Sequence, residues 1–208
     1  MKRLIMNIFS IISAVSVIAL ATVIALNMKF IYYNDIEKLN IEMNSGLSRE
    51  EIIENYDYLI DYNTSLKVEE FELPTLPFSY EGKTHFEDVR NIFQSLYLII
   101  VLGILSSIVI IYEAVKKGNT RPLKNELISL ILIPVMVAVP MALSFEKTFI
   151  LFHKIMFRND YWIFDRFRDP VIRILPEAFF MHEAIAIVIM SILAWVVLYT
   201  IYIKIEDK

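Results

Sequence analysis

The 208-residue chain contains no cysteine, only four glycines and only three histidines. Without cysteine, the protein has no disulfide bond, no thiolate nucleophile, no cysteine-ligated metal and no cysteine of its own for lipid attachment. The sequence also lacks a P-loop, a dinucleotide-binding glycine motif, a GxSxG nucleophile elbow and an HExxH zinc motif. No basic patch with interleaved aromatic residues occurs, so nucleic acid is not an expected partner. Histidine acid–base or nucleophilic chemistry is what remains.

Hydrophobic residues make up 57% of the chain, whereas about 45–50% is usual for soluble domains. They are concentrated in four runs, 4–26, 92–112, 127–143 and 184–203, and roughly 20 apolar residues are needed to cross a bilayer. The first run exceeds the signal-peptide core length of about 7–15 residues and no small-x-small cleavage site follows it. We therefore predict an all-α integral membrane protein with four transmembrane helices in one membrane domain, residues 1–208.

Basic residues flank these runs on one side of the expected topology. They are Lys2, Arg3, Lys116, Lys117, Arg121, Lys124, Lys204 and Lys208. This distribution predicts cytoplasmic termini and two external segments, 27–91 and 144–183. The third run contains Pro134 and Pro140, which should kink it and free backbone carbonyls.

The first external segment is acidic and has two recognisable parts. Ser48 followed by Glu51 reads as a capping box, and apolar residues then recur at helical spacing. Residues 66–80 contain two prolines and alternate Val68, Phe71 and Leu73 with acids. We expect a helix followed by an extended stretch, either a short sheet or a strap on the membrane surface.

The histidines lie at the external ends of the spans or between them. In HFEDVRNIFQS, the side chains of His85, Asp88, Asn91 and Ser95 share one helix face, and Asp88 is expected to orient the His85 imidazole. The alternative is a solvated helix start with Asp88 as a first-turn acid. Because no two histidines stand at i, i+4 spacing, a metal site is not expected.

The second external segment is rich in charges and aromatic residues. Most of its aromatic side chains are typical of a membrane-interface belt, but its charged residues favour a polar cavity or the binding of a headgroup or carbonyl. Arg173 stands in an apolar run between two prolines. The candidates for a site here are His153, Asp160, Trp162, Asp165 and Arg173, whereas His182 is expected to be structural.

Three motifs together resemble the lipoprotein intramolecular transacylases (Lit) of Gram-positive bacteria. They are HFEDVRNIF, FHKIMFRNDYWIFD and DPVIRILPEAFF. The resemblance implies an acyltransferase of the bacterial cell membrane, with diacylglyceryl-modified lipoproteins and membrane lipids as partners and no cofactor. Such an enzyme moves an acyl chain from the diacylglyceryl group to the amine of the lipoprotein's N-terminal cysteine and gives a lyso-form lipoprotein. It also implies that His85 and His153 form an external catalytic pair.

In the expected mechanism His85, oriented by Asp88, is the base toward the amine, and His153 stabilises the oxyanion or protonates the glyceryl oxygen. The two roles are exchangeable, and a covalent acyl-histidine is a further possibility. Supporting roles are expected for Asp88, Asp160, Trp162, Asp165 and Arg173, the last as an oxyanion or carbonyl ligand. The competing functions are a non-enzymatic membrane sensor or assembly protein and a membrane lipid-ester hydrolase.

Overall fold

A computed structural model describes residues 1–67 and 70–207, so Val68 and Glu69 of the acidic alternation and the terminal Lys208 lie outside the described residues. The helices, in chain order, are α1 (Lys2–Asn27), α2 (Phe30–Lys38), α3 (Ile41–Ser45), α4 (Arg49–Thr64), α5 (Tyr80–Lys117), α6 (Arg121–Leu143), α7 (Phe145–Met156), a 3₁₀ helix (Pro170–Arg173) and α8 (Glu177–Glu206). No strand forms within the described ranges. The predicted all-α class is confirmed.

Four of these helices, α1, α5, α6 and α8, are long and apolar enough to cross a membrane. Each contains one of the predicted apolar runs, and α6 continues through both of its prolines. The chain forms two compact units. We name Met1–Ile24, Ser95–Ala142 and Ile185–Lys208 the membrane unit, and Ala25–Gln94 and Leu143–Ala184 the site unit.

Inside the membrane unit, small and polar side chains join the helices. The Ser13 hydroxyl donates to the Glu126 carboxylate at 2.5 Å and lies 2.6 Å from the Ser107 hydroxyl. A Cβ on Gly103 would collide with the Ser16 side chain, so glycine is what allows α1 and α5 to approach there. Close backbone packing and interhelical hydrogen bonds replace the hydrophobic effect as the associating forces between helices in lipid.

Helix α4 of the site unit starts where the capping box predicts. The Ser48 hydroxyl accepts from the Glu51 amide at 3.3 Å, and the Glu51 carboxylate accepts from the Ser48 amide at 3.0 Å. The helical apolar positions Ile52, Tyr56 and Leu59 are buried. The periodic spacing thus identified the face that packs into the core.

An aromatic core fills the site unit. The fully buried rings of Tyr32 and Tyr56 stack with centroids 3.6 Å apart, and Phe179 meets both of them edge-on. The Tyr32 hydroxyl donates to the Ile174 carbonyl at 2.7 Å. Residues from both chain segments of this unit therefore share one core.

The stretch after α4 forms neither helix nor strand in its described part, so the short sheet is not observed there. Phe71 and Leu73 are buried, whereas Glu72 between them is exposed. The Tyr58 hydroxyl donates to the Glu70 carbonyl at 3.1 Å and accepts from the Glu72 amide at 2.6 Å. A side chain of α4, rather than a partner strand, therefore takes up these backbone groups.

Candidate active site

His85 lies in the second turn of α5, and a contact between the two chain segments of the site unit fixes the start of this helix. The Ser79 hydroxyl caps the helix by accepting from the Gly82 amide at 3.0 Å. The Asp169 carboxylate accepts from the Ser79 amide at 2.7 Å and from the Ser79 hydroxyl at 2.8 Å. A Cβ on Gly82 would strike the Asp169 carboxylate, so this clamp requires glycine.

His153 comes from α7, which begins after Ser144 and runs to Met156. The imidazole Nδ1 lies 2.8 Å from the Phe149 carbonyl oxygen one turn earlier. Since a carbonyl oxygen only accepts, Nδ1 carries the hydrogen and Nε2 keeps its lone pair. Burial lowers the pKa of His153 from the ordinary value of 6.5, and the hydrogen bond to Phe149 opposes this effect only in part. The ring is therefore a neutral base at pH 7.

The two imidazoles lie side by side in an aromatic pocket. Their ring centroids are 6.1 Å apart at an interplanar angle of 30°. Phe157 contacts both rings, at 4.7 Å from His85 and 5.5 Å from His153, and Phe164 is 5.3 Å from His85. His85 is 5% exposed, and its Nδ1 has no hydrogen-bond partner among the described residues. The structure thus joins the two histidines that the sequence singled out, at a position with apolar walls.

Trp162 completes this cluster from the loop after α7. Its ring centroid lies 4.9 Å from that of His153. Its indole Nε1 is buried and has no hydrogen-bond partner in the described part of the chain. Of the five predicted supporting residues, Trp162 is the one with a described ring contact to a histidine of the pair.

Asp88 does not orient His85. Its carboxylate accepts from the Asn159 side-chain amide at 3.1 Å, and the Asn159 side-chain oxygen accepts from the Tyr161 amide at 3.1 Å. Asp88 therefore anchors the loop that carries Trp162. Asn91 and Ser95, which share this helix face, are exposed.

The remaining predicted residues contact their own loop. Asp160 is exposed, and its carbonyl accepts from the Ile163 amide at 3.0 Å. The exposed Asp165 carboxylate accepts from two following amides, which lowers its pKa and closes a turn. The Arg173 guanidinium lies over the Phe167 ring at 5.8 Å and forms no ion pair in the described ranges. The described contacts of these residues lead to the loop rather than to a histidine.

His182 belongs to a separate contact, as expected of a structural residue. Its Nδ1 lies 2.7 Å from the buried Asp35 carboxylate. Beside it, Glu183 is 6% exposed, and neither of its carboxylate oxygens has a partner among the described residues. Within 1–67 and 70–207 no three histidine or acidic side chains are arranged as metal ligands.

Sequence reasoning missed three positioning residues, Phe149, Asn159 and Asp169. The sequence does contain a pattern that predicts α7. Ser144 is a suitable N-cap, and Phe145, Phe149 and His153 follow it at i, i+4 spacing. The partners of Asn159 and Asp169 carry no local signal, since both contact residues about 70 to 90 positions away.

A family model described as lipoprotein intramolecular transacylase Lit matches residues 7–180. The chain belongs to the lipoprotein intramolecular transacylase family. It is therefore an acyltransferase integral to the membrane, and the resemblance of its three motifs is confirmed. A comparison of this chain with curated proteins found no match.

Solved structures support the same conclusion over the whole chain. One is of the membrane integral lipoprotein intramolecular transacylase Lit from Bacillus cereus, at 38% identity and a TM-score of 0.93, covering 100% of this chain and 96% of that one. Two others are of that Bacillus cereus protein with an H85R or an H85A mutation, each 37% identical, with TM-scores of 0.88 and 0.83. They cover 100% of this chain and 92% and 94% of theirs.

Proposed function

We propose that His85 and His153 are the catalytic pair with which this Lit protein transfers an acyl chain within a lipoprotein. The substrate carries a diacylglyceryl group on its N-terminal cysteine, and the product is N-acylated with one acyl chain left on the glycerol. The observation that carries the proposal is the 6.1 Å approach of two buried imidazoles, one of which holds a free Nε2 lone pair.

The reaction needs a base for the amine and an acid for the departing alcohol. The His153 Nε2 takes a proton as the amine nitrogen attacks the ester carbonyl carbon, and a C–N bond forms. When the tetrahedral intermediate collapses, the ester C–O bond breaks and the glyceryl oxygen receives that proton. His85, beside the base, relays it. We therefore assign the base to His153 rather than to His85, which the sequence favoured. The Phe149 carbonyl fixes the tautomer of His153, whereas the Asp88 carboxylate bonds to Asn159.

The pocket has few polar groups, which suits an intramolecular transfer. Amine and ester belong to one molecule, so holding them together supplies much of the rate, equivalent to effective molarities of about 10⁵–10⁸ M in well-oriented systems. Phe157 and Phe164 line the pair with apolar rings. Exclusion of water by such walls favours amide formation over hydrolysis.

The test is to prepare His85→Ala and His153→Ala and to follow a diacylglyceryl lipopeptide to its lyso form by mass spectrometry. Each variant is expected to lose at least about 100-fold in rate, the usual contribution of a general acid–base group. His182→Gln is the matched control, because it removes the third imidazole and keeps a donor for Asp35. Near wild-type conversion by both alanine variants would refute the pair, and released fatty acid would indicate a hydrolase.

The orientation of the chain follows from its basic residues and belongs to the same proposal. We place both termini and the α5–α6 turn in the cytoplasm and the histidine pair on the external face. Because the chain contains no cysteine, the exposed Glu50 and Lys116 can each be replaced by a single cysteine. A membrane-impermeant maleimide should label Glu50→Cys in intact cells and Lys116→Cys only after permeabilisation. The reverse pattern would invert the topology.

A further inference from the structure

One buried donor at the histidine pair has no role in the steps above. The Trp162 indole Nε1 is closed to solvent and has no hydrogen-bond partner in the described residues. The indole N–H of the other tryptophan, Trp195, is paired, because its Nε1 donates to the Leu127 carbonyl at 3.1 Å. Buried polar groups are nearly always paired, so an unpaired donor beside a reactive pair needs an explanation, and an acceptor supplied by a ligand is one.

The Trp162 side chain is held in place before any substrate binds. The turn that carries it is closed by the Ile163 amide, which donates to the Asp160 carbonyl at 3.0 Å. Asn159 ties the same turn to Asp88 of α5. The indole ring packs 4.9 Å from His153. A donor fixed in this way needs no reorganisation when charge develops near it.

We infer that the Trp162 indole N–H donates a hydrogen bond to the carbonyl oxygen of the reacting ester and stabilises its oxyanion. This inference rests on the proposed histidine pair. As the C–N bond forms, the carbonyl π electrons move onto the oxygen that Trp162 contacts. They return on collapse, when the C–O bond electrons leave with the glyceryl oxygen, which takes the proton the amine gave to His153. Trp162 transfers no proton.

The surroundings favour this donor over the arginine that the sequence suggested. The Arg173 guanidinium lies over Phe167, whose side chain is 86% exposed, and has no described contact with a histidine. The Trp162 N–H is buried beside the His153 ring, where a neutral dipole interacts strongly with developing charge because little solvent screens it. A neutral donor also leaves His153 unprotonated, whereas a cation would repel its charged form.

The decisive comparison is between Trp162→Phe, which keeps an aromatic ring, and Trp162→Ala, which removes the packing as well. Trp195→Phe is the matched control, since it deletes an indole N–H in the membrane unit. With a synthetic diacylglyceryl lipopeptide, Trp162→Phe should lower kcat about 100-fold, the usual loss for one oxyanion donor, with KM nearly unchanged. Trp195→Phe should keep the wild-type kcat. If Trp162→Phe keeps kcat and only Trp162→Ala loses it, packing explains the residue and the inference is wrong.

A second measurement does not depend on a Trp162 variant folding. In Trp195→Phe the indole of Trp162 is the remaining one, since the chain has two tryptophans. Binding of a substrate analogue whose amine is acetylated should red-shift its emission as the N–H gains an acceptor, and unchanged emission at saturation would overturn the inference. Failure of the histidine pair is distinguishable, because it would appear as full activity in His85→Ala and His153→Ala.

Discussion

The stacked tyrosines of the site-unit core offer a stability test in which two nearly identical changes should have different effects. Tyr32 is 0% and Tyr56 1% exposed, and their rings lie 3.6 Å apart. Burial raises the pKa of both phenols, so both hydroxyls stay protonated. They differ in one respect. The Tyr32 hydroxyl donates to the Ile174 carbonyl at 2.7 Å, whereas the Tyr56 hydroxyl has no partner among the described residues.

Replacing Tyr32 by Phe keeps the stacked ring but leaves the Ile174 carbonyl without its side-chain donor. Ile174 is fully buried, so we expect the free energy of unfolding to fall by about 1–3 kcal/mol, the cost of an unsatisfied buried group. Replacing Tyr56 by Phe removes a hydroxyl that is already desolvated and unpaired. That change should be neutral or stabilising by up to about 1 kcal/mol.

The assay is equilibrium unfolding of both variants and the wild type in the same detergent, with near-UV circular dichroism as the probe of the aromatic core. The expected difference between the variants is about 2 kcal/mol, with Tyr32→Phe the less stable. Equal losses, or a larger loss for Tyr56→Phe, would show that these hydroxyls contribute through something other than the bond to Ile174. The reasoning would then be refuted.

Two further predictions concern the groups around the histidine pair. Gly82→Ala should push the Asp169 carboxylate off Ser79 and lower the free energy of unfolding by about 2–4 kcal/mol, since it combines overpacking with lost charge-assisted bonds; an unchanged Tm would contradict the clamp. His153 should titrate below 6.5 by NMR of labelled histidines, because burial lowers its pKa. As pH falls from 6.5 toward that lower value, the unfolded chain binds more protons at this residue than the folded one, so stability decreases. Titration of His153 at or above 6.5 would contradict its burial.

Features encoded by neighbouring residues were predictable from the sequence. The capping box at Ser48 and Glu51 depends on two residues three positions apart, and the structure forms both of its bonds. The four transmembrane helices depend on the length of apolar runs, which hydropathy alone reports. The family was recognisable because its motifs surround the two histidines. In each case the feature depends on residues that are close together in the sequence.

Features that depend on distant partners were not predictable. Spacing on α5 favoured a bond between His85 and Asp88, but the Asp88 carboxylate turns to Asn159, 71 positions away. The tautomer of His153 follows from the Phe149 carbonyl, which the sequence reveals only once α7 is recognised. The unpaired N–H of Trp162 is a property of its surroundings in the folded chain. The residue type determines which hydrogen bonds a side chain can form, and the tertiary structure determines which partner lies close enough to form them.

The division of the site unit between two chain segments, 25–94 and 143–184, sets an order of events during biosynthesis. Its core joins Tyr32 to Ile174 and Phe179, so the earlier segment cannot complete this core until about 90 further residues have been made. At about 5–20 residues per second this takes roughly 5–18 s. During that interval Tyr56 of α4 lacks its edge-on contact with Phe179. The second segment also supplies Asp169, so the clamp on Ser79 at the start of α5 forms only after that segment has been made.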